Sequence, residues 1–403
     1  MNNKIKLAVA GAVLASASVA NAGITWDAGE WTVDMNGNVN AFATYADNKD
    51  NNAAISGGLA NAPGANDDSE VAIQTGLLPS WLGFTATTRQ NDIDTSVTIS
   101  FQPGAGNTRA LGGGNSTNAE TENRQAFLTF GDKSWGSVKV GKDLGIFGST
   151  AILNDMTLLG VGAGSVTAGN TTTLGRIGTG YIYADWIGQI AYTTPNMNGF
   201  QATLGITQPW QAQASNGSSS TSSGTNDEFG YQGQASYSWT GDFAGKAWLG
   251  FFSQNVENLS GGGNDTADSY EAGVSATVMN INLVAYGYSG EGIGTTALLL
   301  NGYDDGGNAR DSDGGYVQAT YVIPTGTKLG ISYGQSKLDA NAADSDALGQ
   351  VLVKENEMLT IGAYHPLTKH LNLVAEFSDV ESKNQAGASN DSTTIALGAI
   401  LFF

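Results

Sequence analysis

Residues 228–240 read Glu228-Phe229-Gly230-Tyr231-Gln232-Gly233-Gln234-Ala235-Ser236-Tyr237-Ser238-Trp239-Thr240. Phe229, Tyr231, Gly233, Ala235, Tyr237 and Trp239 fall on one parity and Gln232, Gln234, Ser236 and Ser238 on the other. Successive side chains of a strand point to opposite faces, so one face is greasy and the other wet. The same split recurs in Val39, Ala41, Ala43 and Tyr45 against Asn36, Asn38 and Asn40, and in Tyr270, Ala272, Val274, Ala276 and Val278 against Glu271, Ser275 and Thr277.

Working outward, sixteen such segments are counted: 33–46, 80–90, 95–102, 122–131, 136–142, 181–194, 199–208, 228–240, 245–257, 269–279, 281–290, 313–323, 326–338, 355–365, 370–382 and 391–403. The connections alternate strictly between short and long, the long ones being 47–79, 103–121, 143–180, 209–227, 258–268, 291–312, 339–354 and 383–390. An up-and-down sheet with two unlike ends produces that rhythm, with short turns at one rim and long loops at the other. A soluble sandwich also alternates, but its apolar face is a dry core of bulky Ile, Leu and Phe. Here that face carries Ala, Gly, Val and aromatics, and the opposite one Gln, Ser, Thr and Asn, which suits lipid outside and water inside. An open sheet edge in lipid would strand backbone hydrogen-bonding groups, so the sheet is expected to close.

Composition narrows the reading. The chain has 403 residues, 56 of them Gly, no Cys, and 17 Lys plus Arg against 37 Asp plus Glu. Without Cys there is no disulfide framework, thiolate metal site or Cys nucleophile. A formal net charge of -20 argues against a nucleic-acid partner, which needs a basic footprint. Residues 1–22 read as a signal peptide, with Lys4 and Lys6 ahead of a short apolar run and an Ala20-Asn21-Ala22 cleavage site. Its removal takes away those two Lys and no acid, leaving residues 23–403 with a formal charge of -22.

Some of the quoted segments resemble a known family. Asn123-Arg124-Gln125-Ala126-Phe127 followed by Gly136-Ser137-Val138-Lys139-Val140-Gly141-Lys142 resembles the fourth and fifth strands of the trimeric general-diffusion porins of Gram-negative outer membranes. Leu82-Gly83-Phe84 resembles their second strand, and Gly175-Arg176-Ile177-Gly178 through Asn198-Gly199-Phe200 the exit from their third loop. Phe403 matches the family's C-terminal aromatic, its assembly signal. The resemblance implies an all-β fold, a 16-stranded antiparallel transmembrane β-barrel, whose third loop, about 143–180, folds inward. It implies a homotrimer in the outer membrane, in contact with lipopolysaccharide, passing ions and small hydrophilic solutes.

The same resemblance supplies the candidate pore residues. Asp143, Asp155 and Arg176 lie on the third loop. The family's wall of basic residues is altered: Trp81 stands before Leu-Gly-Phe, Lys142 stands for the Arg after the fifth-strand Gly, and Ala184, beside Asp185, for the Arg of strand six. Parity then adds to the set. With Ile182, Ala184, Trp186, Gly188, Ile190 and Tyr192 on the apolar face, Tyr183, Asp185 and Gln189 are expected to face the lumen. Glu271 and Glu376 fall on polar faces, Lys328 is the clearest basic counterpart, and Arg124 completes the set. The expected pore is weakly to moderately cation-preferring.

The alternative is a sugar-specific channel with an aromatic track starting at Trp81, Tyr181 and Tyr183. Catalysis is not expected, because His365 and His370 bracket the turn Pro366 to Lys369, far from any partner for proton transfer. No cofactor is expected. The acids of the outer loops, Asn66-Asp67-Asp68, Asp304-Asp305 and Asp311 to Asp313, are read as solvated groups that bind divalent cations such as calcium between lipopolysaccharides.

Overall fold

The computed structural model describes residues 23–48, 53–60, 69–105, 121–166, 172–224 and 226–403. The expected signal segment 1–22 and the acidic run Asn66-Asp67-Asp68 lie outside the described residues.

The strands are β1 (Ile24–Ala28), β2 (Trp31–Asp47), β3 (Ser69–Gln74), β4 (Trp81–Gln90), β5 (Ile93–Phe101), β6 (Ala126–Asp132) and β7 (Gly136–Leu144), then β8 (Ala163–Val166) and β9 (Thr173–Gly175). After these come β10 (Trp186–Thr193), β11 (Phe200–Thr207), β12 (Gly230–Trp239), β13 (Phe243–Val256), β14 (Asp265–Val278), β15 (Ile281–Glu291) and β16 (Asp311–Val322). The last four are β17 (Lys328–Leu338), β18 (Val353–Pro366), β19 (Leu371–Asn384) and β20 (Ser389–Phe402). Two short helices, α1 (Ser149–Asn154) and α2 (Ala347–Gln350), lie in connections.

All strands but β8 and β9 form one antiparallel sheet of 18 segments. Because β1 and β20 pair with successive parts of one edge of β2, and β4 and β3 with successive parts of the other, the segments make sixteen lines around a closed barrel. Closure runs through β2 and β20, from Asn38 opposite Phe402 to Asp47 opposite Thr393. Phe403 extends the seam: its amide donates to Gly37 O at 3.0 Å and its carbonyl accepts from Gly37 N at 2.9 Å. Each of the sixteen expected segments overlaps one of the sixteen lines. β1, β3 and the β8–β9 hairpin are additional to the expected set.

Burial is inverted relative to a soluble domain. Leu249 is 65% exposed and Tyr270 72%, while Gln232 and Ser269 are 0% exposed. Leu204, Leu283, Val317 and Leu397 share the outward face, and Ser332, Thr360, Ser378 and Thr394 are buried on the inward one. Lipid takes the first face at no hydrophobic cost, and the second keeps its polar groups bonded. Tyr237, Trp239 and Phe243 stack in sequence around the β12–β13 turn, with ring centroids 6.3 and 5.9 Å apart, as a girdle at the short-turn rim. Turn chemistry sets the register there. Asn91 and Asp92 both adopt positive φ, 49° and 62°, the conformation that a two-residue hairpin needs and that Asn and Asp tolerate.

Two strands start well after their expected first residue. The strand placed at 181–194 begins only at Trp186, because Asp185 takes φ 48° and breaks the period. Ile182 and Ala184 are therefore buried at 0% and 1% exposure, and do not join the outward face of Gly188, Ile190 and Tyr192. The segment placed at 122–131 likewise becomes strand only at Ala126.

Candidate functional site

Between β7 and β10 the chain runs through residues 145–185, of which 167–171 lie outside the described set. Its backbone is held by side chains from the inward face of distant strands. Gln232 Oε1 on β12 accepts from Ile146 N at 2.8 Å and Phe147 N at 3.0 Å. Glu271 on β14 accepts from Gly148 N at 3.0 Å, and Gln318 on β16 from Met156 N at 2.7 Å. Glu376 on β19 accepts from Val161 N at 2.6 Å and Gly162 N at 2.9 Å. Buried amides require acceptors, and a short irregular segment cannot supply them all itself, so these four side chains substitute for secondary structure. Gly160 permits the approach, since a Cβ there would lie 2.2 Å from the Glu376 carboxyl.

An apolar face accompanies the polar tethers. Phe147 packs on Phe252 and Tyr181 on Tyr316, with centroids 6.1 and 5.9 Å apart, in one cluster with Ile182, Trp248 and Tyr286. Phe147, Tyr181 and Ile182 thus share one cluster with side chains of β13, β15 and β16.

Asp155 and Arg176 sit inside this packing. Asp155 accepts from Tyr181 Oη at 2.9 Å and from Thr157 N at 3.0 Å, where it caps a 3-10 turn over Met156–Leu159. Arg176, fully buried, donates to Ser332 O on β17 and Met358 O on β18, each at 3.0 Å, with its Nε 4.0 Å from Asp155. Burial pulls the Arg176 guanidinium below its usual range, against the opposing effect of Asp155, and pushes the Tyr181 phenol well up. Both charges are thus committed to holding the segment.

Glu271 and Glu376 are buried on the inward face, each bonded to a tyrosine as well: Tyr286 Oη to Glu271 at 2.9 Å and Tyr364 Oη to Glu376 at 2.5 Å. Lys328 lies over the Tyr364 ring at 4.6 Å and within the field of Glu376 and Asp155. Lys246 on β13 stands to Glu271 as Lys328 does to Glu376. The sequence reading missed Lys246, although it shares the parity of the buried Trp248 and Phe252.

The remaining candidates gather near the ends of β4, β7 and β10. Arg124 is buried, donates from Nε to Glu122 at 2.7 Å and from Nη1 to Tyr183 Oη at 3.4 Å, and lies 6.0 Å from the Trp186 ring. Trp186 Nε1 donates to the same phenol at 2.9 Å. Burial pushes the Tyr183 phenol up to about 12. Asp185, half-buried, bonds its own neighbour Trp186 N at 2.7 Å, and burial raises its carboxyl above the ordinary range despite Arg124 and Lys142. Asp143 is buried, takes the Gln125 amide at 2.9 Å and pairs with Lys139, a second cation the sequence reading passed over. Trp81 is buried nearby on the row of Asn38.

Lys142 is placed differently from the rest. It is exposed and aligned with Ala126 and Gly188, one row beyond outward Leu128 and Ile190, and it donates to Asn123 O at 2.9 Å. The inward row of β7 carries Lys139, Gly141 and Asp143 instead, so Lys142 does not stand on the face that its family counterpart would occupy.

The outer loops have a separate clamp. Arg310, fully buried, donates to Asp344 at 2.8 and 2.5 Å, to Ser218 O at 2.8 Å, to Ser219 Oγ at 2.9 Å, and to Asn301 O and Tyr303 O at 2.9 and 2.8 Å. It joins three connections in one knot. Arg310→Met leaves Asp344 buried without its counter-charge, a loss of ~3–5 kcal/mol confined to these loops. Limited proteolysis should then cut within 209–227 or 339–352 at protease levels that spare the wild type, with the strands uncut. Among the described residues no group of three His, Asp or Glu side chains is placed to hold a metal ion.

The sequence pattern of Gram-negative porins matches residues 8–385. The fold is similar to that of the outer membrane channel DcaP of Acinetobacter baumannii, with TM-score 0.70 and 17% identity over 95% of this chain and 100% of that one. An anion-selective porin from Comamonas acidovorans aligns with TM-score 0.62 and 16% identity over 93% and 100%. Salmonella typhi OmpF, solved in complex with daunomycin, aligns with TM-score 0.59 and 14% identity over 94% and 100%. No curated protein matches the chain.

Proposed function

The chain belongs to the Gram-negative porins, channel-forming barrels of the outer membrane, and we propose that it forms a weakly to moderately cation-preferring pore for ions and small hydrophilic solutes. The observation that carries the reading is the closed barrel whose inward polar side chains grip segment 145–185. We read that segment as the constriction, folded into the lumen and fixed on one wall. Asp143, Glu271 and Glu376 are offset by Lys139, Lys246 and Lys328, so the interior is close to balanced and the preference is modest. The net charge of -22 over residues 23–403 tips it toward cations, since acids at the mouth concentrate them within a Debye length of about 8 Å. The Comamonas protein's anion selectivity is that protein's own, and Lys142's outward placement is one reason not to extend it here.

Asp185 tests the sign. Asp185→Asn should move the reversal potential in a KCl gradient toward zero. Because burial raises its carboxyl, the wild type should lose part of its cation preference as pH falls, beginning at a higher pH than ordinary carboxylates imply. In the Asn variant that early component should be missing. An unchanged reversal potential in the variant would remove Asp185 from the account.

A homotrimer is part of the proposal and rests on the family. Lipopolysaccharide is the proposed neighbour at the outer ends of β17 to β19, where Lys337 and Lys383 pair with Glu355, Glu357 and Glu381 on the outward face. Calcium-like ions bridging such acids to lipid phosphates are included as ligands of that surface. The reading assigns no catalysis: His365 is bonded to the Thr327 hydroxyl at 2.9 Å at the short-turn rim. The sugar-slide alternative loses one member, because Tyr181 is fully buried against Asp155 and lines no opening.

A further inference from the structure

A cavity of about 370 Å³ lies between segment 145–185 and the start of β4. One side is hydrocarbon: Leu77, Leu78, Leu144, Ile152, Leu158 and Leu174. The other side is the Arg124, Glu122, Asp185 and Tyr183 group, with Trp81 and Trp186 as flat walls between. Leu77, Leu144 and Ile152 are buried in the cluster that packs segment 145–185, and Leu78 in a neighbouring one. Leu158 and Leu174 are only partly buried, so apolar surface is left facing the opening. Pockets of this volume with mostly apolar linings and a few convergent polar groups are of the kind that hold small molecules.

The polar end sets the head group. Arg124 is ion-paired with Glu122 at 2.7 Å, and the Asp185 carboxylate lies within the field of Arg124. Positive and negative groups alternate, so a singly charged solute of either sign meets a like charge as well as an opposite one. An uncharged head that both donates and accepts hydrogen bonds meets no such conflict.

Resting on the porin reading above, we propose that this basin is a binding site on the conduction path for small uncharged aromatic solutes bearing a hydroxyl or carbonyl head. The ring lies between the tryptophans and the leucines, displacing water from apolar surface, and the head reaches Tyr183 and its charged neighbours. Such solutes linger in the pore, whereas sugars and polyols of equal size pass without stopping.

The test uses the purified full-length protein in planar bilayers. Single-channel current is recorded in KCl with 4-hydroxybenzyl alcohol, and then with pentaerythritol, a neutral ring-free solute of similar mass. The aromatic alcohol should interrupt the current with dwell times at least about tenfold longer, the ratio expected from burying about two CH₂ equivalents. Leu158→Asn and Leu174→Asn should each shorten those dwells toward the pentaerythritol value. Equal dwells for the two probes in the wild type would overturn the proposal while leaving the porin reading intact. Longer dwells with benzoate or benzylammonium than with the neutral alcohol would overturn the uncharged-head assignment. Absence of any channel would overturn the porin reading and this inference with it.

Discussion

Arg176→Met will release segment 145–185 from β17 and β18 while leaving the barrel closed. The guanidinium serves two wall carbonyls at 3.0 Å and is the charge facing Asp155. Methionine fills much of the volume but donates nothing, so buried Asp155 loses its nearest cation, a loss of ~3–5 kcal/mol for breaking a buried pair. That loss falls on the segment, because the strand ladders around β17 and β18 do not pass through Arg176. Single-channel currents should become larger and noisier than wild type, and the purified protein should still run as a folded barrel before heating. Arg176→Lys should fall between, since it keeps the charge and loses the planar fork. Wild-type conductance in the Met variant would show that Arg176 fixes nothing that shapes the pore.

Glu376 separates tether from charge. Its carboxylate accepts from Val161 N, Gly162 N and Tyr364 Oη, and hydrogen bonds to a charged group are worth ~1.5–3 kcal/mol each. Glu376→Leu removes all three and leaves two buried amides unpaired, so conductance noise should rise as it does for Arg176→Met. Glu376→Gln keeps an acceptor oxygen for the amides but deletes the charge beside Lys328. Its conductance should stay near wild type while its reversal potential moves toward anions. If Gln and Leu behave alike in both readouts, tether and charge cannot be divided as described.

How much of this was legible in the sequence depends on whether the governing contact is local. The strands were readable because alternation and turn chemistry sit in the strand itself: Tyr231, Tyr237 and Gln232 in β12 declare their faces, and Asn91-Asp92 declares the turn. Glu271, Glu376 and Asp143 were found by the same parity or by the family resemblance, but their partners were not. Gly148 is 123 residues from Glu271 and Val161 is 215 from Glu376, and no local pattern carries such a pairing. Asp155 and Arg176 were recognised as loop charges, yet their bonding to Tyr181, Ser332 and Met358 turns them into structural ties. At Asp185 the period rule gave a strand where one left-handed residue ends it. Lys142 was readable from the residues alone, since Val138, Val140 and Lys142 share a parity; the family analogy drew attention away from that row.

The central claim is a water-filled pore whose modest preference is for cations. It is tested most directly by incorporating the purified protein into a planar bilayer and measuring current in symmetric KCl and then across a tenfold KCl gradient. The expected result is ohmic conductance steps with a reversal potential of the sign set by K⁺, well short of the Nernst limit. A reversal potential of the opposite sign, or a bilayer that never conducts, would contradict the account.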